Sequence, residues 1–421
     1  MFDHWPASHL VTLGVFVVVY VGMLLGGLPR LRLDRTGVAL LGAIAMVGTS
    51  VVTTREAAAS VHLPTVLLLF SFMVISAQMR LGGFYSAVTV RITTRPLSPR
   101  KFLGVIVAVS AALSAVFSND IVCLAVAPLL TDACLRRRLD PVPYLLALAC
   151  ASNIGSAATL IGNPQNMLIG EVLQLDFAGY AAGVLPPVVL ALIALWGQMV
   201  WQLTPGGVVT LTASQHDALL VVPPAFDRWQ TIKGLAVAGA LMAIFLYSSW
   251  PRDVSALVGA GLLMLSQRFH SSKIIGLIDW PLLILFVGLF VVNHAMEATE
   301  LAPQALAWLA GHGVAPDDPL NMFGATLVLS NLVSNVPAVM LLLPAARAAG
   351  DAVLAGTTLA LVSTLAGNLL IVGSIANIIV VDAAARHGIA IDWRRHARTG
   401  VPATLISLAI AALWLRLRAV L

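Results

Sequence analysis

Ser118-Asn119-Asp120 interrupts an otherwise apolar run and places a hydroxyl, an amide and a carboxylate side by side. Such hard oxygens can ligate a cation, and a carboxylate at membrane depth can carry a proton. Ser114 stands four residues earlier, so its hydroxyl shares a helix face with that of Ser118. A second run repeats these types at the same spacing, with Ser330 ahead of Ser334-Asn335. Two further strings interrupt apolar segments. Gly162-Asn163-Pro164-Gln165-Asn166 joins a permissive glycine to a proline that lacks a backbone donor. Its counterpart, Gly373-Ser374-Ile375-Ala376-Asn377, has no proline and is the weaker break, with Gly367-Asn368 just before it to help open the helix. Carbonyls freed at such breaks suit cations, and the helix N-termini beyond them suit anions.

Asp120 is the one acidic residue expected near the centre of an apolar segment, and its counterpart is Val336. Asp132 and Asp382 fall nearer the ends of their segments, at the interface. His294, Glu297 and Glu300 lie together at the outer end of a span and read as a solvated end rather than a transition-metal site. The chain has no Gly-x-Ser-x-Gly elbow, no His-Glu-x-x-His motif and no Walker A loop. It is read as no enzyme, and no organic cofactor is expected. Cys123, Cys134 and Cys150 form no disulfide framework and read as small buried apolar groups.

The elements that must position these residues are membrane spans. The chain has 421 residues, 59% hydrophobic and only 10% charged, with a mean hydropathy of +0.94. A soluble domain carries about a quarter charged residues. The net charge of +5 does not point to nucleic acid, because the basic residues cluster in loops between apolar runs. Ten spans are expected, over 8–29, 36–54, 61–79, 142–170, 178–203, 229–247, 253–267, 280–296, 353–381 and 399–416. Segments 102–135 and 320–346 carry their polar interruption mid-way and have arms too short to cross, so each is expected to be a re-entrant hairpin. The first span reads as an anchor rather than a cleaved signal peptide, since no basic residue precedes it.

This layout puts 19 of the 24 Lys and Arg residues on one side. Cytoplasmic loops carry the basic excess, so that side is cytoplasmic and both termini face out, as in a bacterial-type inner membrane. The halves also repeat. Leu113-Ser114, Ser118-Asn119 and Pro128 recur at identical spacing as Leu329-Ser330, Ser334-Asn335 and Pro344. Leu148-Ala149, Ser152, Gly162 and Asn166 recur as Leu359-Ala360, Ser363, Gly373 and Asn377. Each half holds an odd number of spans, so the second enters the membrane inverted. The expected fold is an all-α polytopic membrane protein with an N-terminal repeat (1–205), a cytoplasmic linker (206–228) and a C-terminal inverted repeat (229–421). Inverted repeats with broken helices at the midplane are the construction of many secondary carriers.

The strings SNDIVCLAVAPLL, SNIGSAATLIGNPQNMLIG, SNLVSNVPAVMLLLP and AGNLLIVGSIANIIV resemble the ion transporter superfamily over nearly the whole chain. That group holds divalent-anion/sodium symporters, citrate carriers, arsenite permeases and a class of sodium/proton antiporters. The resemblance implies a homodimer in which a transport domain moves against a scaffold as an elevator. It implies one cation site at Ser114, Ser118, Asn119 and the Gly162-Asn163 backbone, with Asp120 beside it. A second site would use Ser330, Ser334, Asn335 and the Gly373-Ser374 backbone. The substrate would lie between, against Ser118, Asn119, Asp120, Asn163, Pro164, Asn166, Ser334, Asn335, Ser374 and Asn377. Dicarboxylate carriers have Ser-Asn-Thr at both tips; here Asp120 and Val336 take the third place, which resembles the arsenite and antiporter branches. The leading expectation is sodium- or proton-coupled transport of a small inorganic or organic anion or an oxyanion. Arsenite export and sodium/proton antiport are the alternatives, with a channel or structural membrane protein behind them.

Overall fold

The computed structural model describes residues 6–28, 31–203, 225–299, 304 and 318–420. Among these the regular structure is α-helical apart from one 3-10 turn. The linker expected at 206–228 lies outside the described residues except for its last few, and so does Glu300.

The first half runs α1 (Ala7–Leu25), α2 (Arg35–Gly48), α3 (Thr54–Ser60), α4 (Leu63–Leu81), α5 (Phe84–Thr93), α6 (Pro99–Val116), α7 (Asn119–Arg136), α8 (Pro141–Ser156), α9 (Pro164–Val172) and α10 (Phe177–Gln202). The second runs α11 (Arg228–Tyr247), α12 (Arg252–Met264), α13 (Ser271–Ile275), α14 (Trp280–Glu297), α15 (Pro319–Val333), α16 (Asn335–Ala348), α17 (Ala352–Ala366), α18 (Ile375–Arg386) and α19 (Trp393–Val420). Seven of the described helices are single rods long and apolar enough to cross a membrane: α1, α4, α6, α10, α11, α14 and α19. The spans expected at 36–54 and 253–267 are helical over only 14 and 13 residues, roughly 20 Å at 1.5 Å per residue, and the flanking chain must cover the rest.

Acidic residues set many of the helix starts. Asp34, Asp140, Asp176, Asp227, Asp279, Asp318 and Asp351 each accept a backbone N–H as N-caps. Thr53 and Glu56 form a reciprocal capping box on α3, which holds the Glu56 carboxyl below the usual range. Three helices were not anticipated. α3, α5 and α13 occupy stretches between the expected spans, and α5 packs on α7.

Segment 99–136 returns to its starting side. Arg137 Nη2, just past its end, donates to the Leu97 carbonyl, just before its start, at 2.7 Å. Arg137 also covers the Phe102 ring at 4.5 Å. The two helices α15 and α16 likewise pack on each other about Ser334. Both long segments expected to break do so, α8 from α9 and α17 from α18, the second without a proline. The α6–α7 hairpin packs on α8 of its own half and, through α7, on α18 of the other; the α15–α16 hairpin packs on α17 and, through α16, on α9. The remaining long helices pair among themselves, α4 with α12, α2 with α14 and α10 with α19. The three cysteines are buried and free.

Candidate functional site

Asn153, in the last turn of α8, links the two broken helices and the first hairpin. Its Oδ1 accepts from Asn119 Nδ2 at 2.8 Å and from Ser374 Oγ at 2.9 Å. Its Nδ2 donates to Asn368 Oδ1 at 2.8 Å and to Asn377 Oδ1 at 3.3 Å. Thr364 holds the equivalent place in α17. Its Oγ1 accepts from Asn163 Nδ2 at 3.1 Å and from Gln165 Nε2 at 3.4 Å, and lies 3.3 Å from Asn166 Oδ1, to which it donates. A residue of each half therefore serves the break of the other.

The breaks repeat each other in detail. Asn163 caps α9 by accepting from Asn166 N, and Ser374 caps α18 by accepting from Ala376 N. Asn166 Nδ2 donates to the Thr159 carbonyl at 3.1 Å, and Asn377 Nδ2 to the matching Leu370 carbonyl at 3.1 Å. Gly162 is obligatory for a packing reason, since a β-carbon there would overlap the Ser156 backbone. Pro164 opens α9, where its missing donor is harmless.

The tips differ. Ser118 is the N-cap residue of α7, and the next amide, Asn119 N, donates to the Gly162 carbonyl at 3.2 Å. At the second tip Ser334 stands at φ 76 and ψ 161, a region nearly confined to glycine. Asn335 Nδ2 and Asn331 Oδ1 lie beside Gly367 and Gly373, 3.1 and 3.4 Å from where β-carbons would be. Six oxygens at the tips are buried without a hydrogen-bond partner. They are Ser114 Oγ, Asn119 Oδ1 and Asp120 Oδ1 in the first hairpin, and Ser330 Oγ, Asn331 Oδ1 and Asn335 Oδ1 in the second. An orphaned buried polar group costs about 1–3 kcal/mol. Two clusters of hard, acceptor-type oxygens fit an oxygen-seeking monovalent cation.

A cavity of about 110 Å³ opens at the first tip, lined by Ser118, Asp120, Pro164 and the α4 residues Ser76 and Arg80, with Asp279 at its edge. Its charged lining is Arg80, Asp120 and Asp279. Asp279 is engaged as the cap of α14, accepting from Leu282 N at 3.0 Å. Asp120 accepts from the Ala376 amide in the first turn of α18, and its Oδ1 is left buried without a partner.

Of the residues picked out by sequence, Asn119, Gly162, Asn163, Asn166, Ser374 and Asn377 join one hydrogen-bonded network with Asn153 and Thr364. Ser118, Asp120 and Pro164 face the cavity instead. Ser114, Ser330, Ser334 and Asn335 flank the breaks and make no side-chain hydrogen bond to the network among the described residues, and Ser114 and Ser330 are fully buried. Sequence reasoning missed Asn153, Thr364 and Asn331. The repeat itself held the signal for the first two, because they align with each other just before the two breaks.

The chain matches the family model described as Citrate transporter over residues 16–366. It is 28% identical to an uncharacterized transporter of Mycobacterium tuberculosis (strain ATCC 25618 / H37Rv), covering 97% of this chain and 98% of that one. It is 29% identical to the silicon efflux transporter LSI3 of Oryza sativa subsp. japonica, covering 95% of each. Among solved structures it resembles the YdaH transporter of Alcanivorax borkumensis, with a TM-score of 0.56, 14% identity and coverage of 98% of this chain and 97% of that one. It also resembles the antimetabolite efflux pump MtrF of Neisseria gonorrhoeae, with a TM-score of 0.57, 12% identity and coverage of 99% and 95%. At these identities the two structures speak for the fold alone.

Proposed function

The chain belongs to the citrate transporter family of the ion transporter superfamily and is a membrane transporter, and on that premise we propose that it moves a small oxyanion or its protonated acid, with Asp120 as the coupling carboxylate. The observation that carries this reading is the polar part of an otherwise apolar cavity lining at the first tip: two serine hydroxyls, the Asp120 and Asp279 carboxylates and one arginine. Arg80, Asp120 and Asp279 together give that lining no cationic excess. A citrate-like polyanion needs several positive partners at low dielectric. A small, weakly acidic, hydroxyl-bearing solute needs only donors and acceptors. The relative from Oryza sativa is named for silicon efflux, and an oxyacid of that chemical kind suits the same lining.

Asp120 supports proton coupling because its Oδ1 is buried at the cavity without a partner, whereas Asp279 is committed to the start of α14. Protonated, it donates a hydrogen bond to an oxyanion; ionised, it repels one. Loading of the substrate is thereby tied to uptake of the proton, and release of the one to release of the other. The orphaned oxygens favour a second reading for the coupling ion, namely sodium held by Ser114 and Asn119 at one tip and by Ser330 and Asn335 at the other. An elevator motion is supported by the packing. Both hairpins and both broken helices pack as one group, and the long helices pair chiefly with one another while α4, α10 and α19 also meet α9, α8 and α17 of that group. The homodimer stays part of the proposal.

Proteoliposomes with an imposed pH gradient and radiolabelled oxyanions or oxyacids test the reading. Uptake or export should follow the proton gradient in the wild type and lose that dependence in Asp120→Asn while exchange of substrate for substrate persists. Transport driven by sodium alone, indifferent to pH, would remove Asp120 from the coupling role and leave the sodium reading standing.

A further inference from the structure

A second cavity, of about 1190 Å³, lies at the other end of the first hairpin, far in sequence from the tips. Five arginines line it, Arg100, Arg137, Arg138, Arg395 and Arg398, against one carboxylate, Asp140. Arg395 is partly engaged, 3.6 Å from Asp140 and donating to the Ala390 carbonyl at 3.1 Å. Arg137 uses one nitrogen on the Leu97 carbonyl, but its Nη1 is buried and has no partner. The side chains of Arg100, Arg138 and Arg398 make no hydrogen bond or ion pair among the described residues. Three helices also start there. Pro99 and Arg100 open α6, Val142 and Tyr144 belong to the first turn of α8, and Arg395 and Arg398 to the first turns of α19. Their dipoles favour a negative charge in the cavity, most of all at α6, where Ser98 makes no side-chain cap bond, since Asp140 and Asp392 already accept from the starts of α8 and α19.

We propose that this cleft binds the phosphate headgroup of an anionic phospholipid. Phosphate is the ligand that several convergent guanidinium groups and helix N-termini take together. Two features select a lipid over a soluble polyanion. The lining also holds an apolar part, with Leu139, Val142, Leu146, Met199 and Leu203 beside Ser98, Gln202 and Thr399, which suits the start of acyl chains. The cleft also lies at the depth where tryptophans mark a membrane interface. Trp196 Nε1 donates to the Arg100 carbonyl at 3.2 Å, and Trp393, at the start of α19, is 68% exposed beneath the Arg394 guanidinium. Basic pockets at the ends of spans are the usual seats of diphosphate lipids. A headgroup here touches the base of the α6–α7 hairpin and the ends of α10 and α19 at once, so it would brace the hairpin against these long helices.

The test uses purified full-length protein in detergent, with cardiolipin as the probe, phosphatidylcholine as the neutral lipid and pyrophosphate as the soluble polyanion. Cardiolipin should raise the melting temperature by several degrees and survive as a bound mass in native mass spectrometry, while phosphatidylcholine does neither. R100Q/R138Q/R398Q should weaken cardiolipin binding by about 100-fold, since each basic group near a membrane surface contributes roughly a factor of five. The charge-matched control R32Q/R91Q/K273Q, at exposed positions outside the cleft, should bind as the wild type does. Undiminished cardiolipin binding in the cleft variant overturns the site. Pyrophosphate that stabilises as well as cardiolipin and displaces it overturns the lipid assignment. If the triple variant fails to fold, the three single variants are read by the same criterion, each expected to lose about fivefold.

Discussion

The two hairpins carry the same Ser-Asn motif but settle on their breaks differently. The first is tied down. Asn119 bonds both the Gly162 carbonyl and Asn153, and the break it covers, from Ala157 to Asn163, is buried throughout. The second rests beside its break. Asn335 makes no comparable bond, Ser334 carries a strained backbone, and Leu370 and Val372 in the facing turn are 44% and 53% exposed. The central network is correspondingly lopsided, with Asn153 at four side-chain bonds and Thr364 at three weaker ones. Twofold sequence symmetry thus supports one closed tip, which bears the carboxylate, and one looser tip, which bears an apolar residue in its place. That contrast is what an alternating carrier needs, since a site held equally from both sides has no preferred opening.

The largest way to break the comparison is at the third tip position. Asp120→Asn should lower gradient-driven transport by 100-fold or more, about 3 kcal/mol or more by rate arithmetic, whereas Val336→Thr should change it by less than about threefold. Equal losses in a proteoliposome flux assay would show that the tips are functionally alike. Next come the amides. Asn119→Ala should destabilise the protein by about 1–3 kcal/mol, because it leaves Asn153 and its own site unsatisfied. Asn335→Ala should leave the melting temperature nearly unchanged while still depressing transport, since Asn335 has no structural partner to abandon.

A smaller contrast lies between the network centres. Asn153→Ala should cost about 2 kcal/mol and Thr364→Ala about 1 kcal/mol, read as thermal unfolding in detergent, because fewer and longer bonds depend on the threonine. The smallest effect is in the backbone. Ser334→Gly should stabilise by roughly 0.5–1 kcal/mol through relief of a positive φ, and Ser118→Gly, at φ −49, should destabilise by a similar amount. A stabilised Ser118→Gly would mean that the first tip is the strained one.

Much of this was legible in the chain. A polar triplet in one apolar run and a polar pair in the other announced the two hairpin tips, and glycine with asparagine announced both breaks, even where Ile375 stands in place of a proline. Membrane solvent makes such signals sharp, because a backbone group left unpaired there is costly and irregular chain must be buried against partners. Less visible were α3 and α5, whose modest hydropathy resembles loop, and Asn331, which has no counterpart in the first half. Asn153 and Thr364 looked like ordinary polar glue inside apolar helices.

By itself the sequence determined the helical membrane class, the repeat and the positions where helices stop, since all three follow from local hydropathy, spacing and backbone preference. Tertiary structure alone decided which residues answer those stops. Asn153 meets Ser374, and Thr364 meets Asn163, across some 200 residues of chain. No local preference encodes such a pairing. It arises when the two halves pack together and each half's break is brought against the other half's amide or hydroxyl. The same packing set Asp120 at the cavity against the Ala376 amide of the other half, and so distinguished the two Ser-Asn tips.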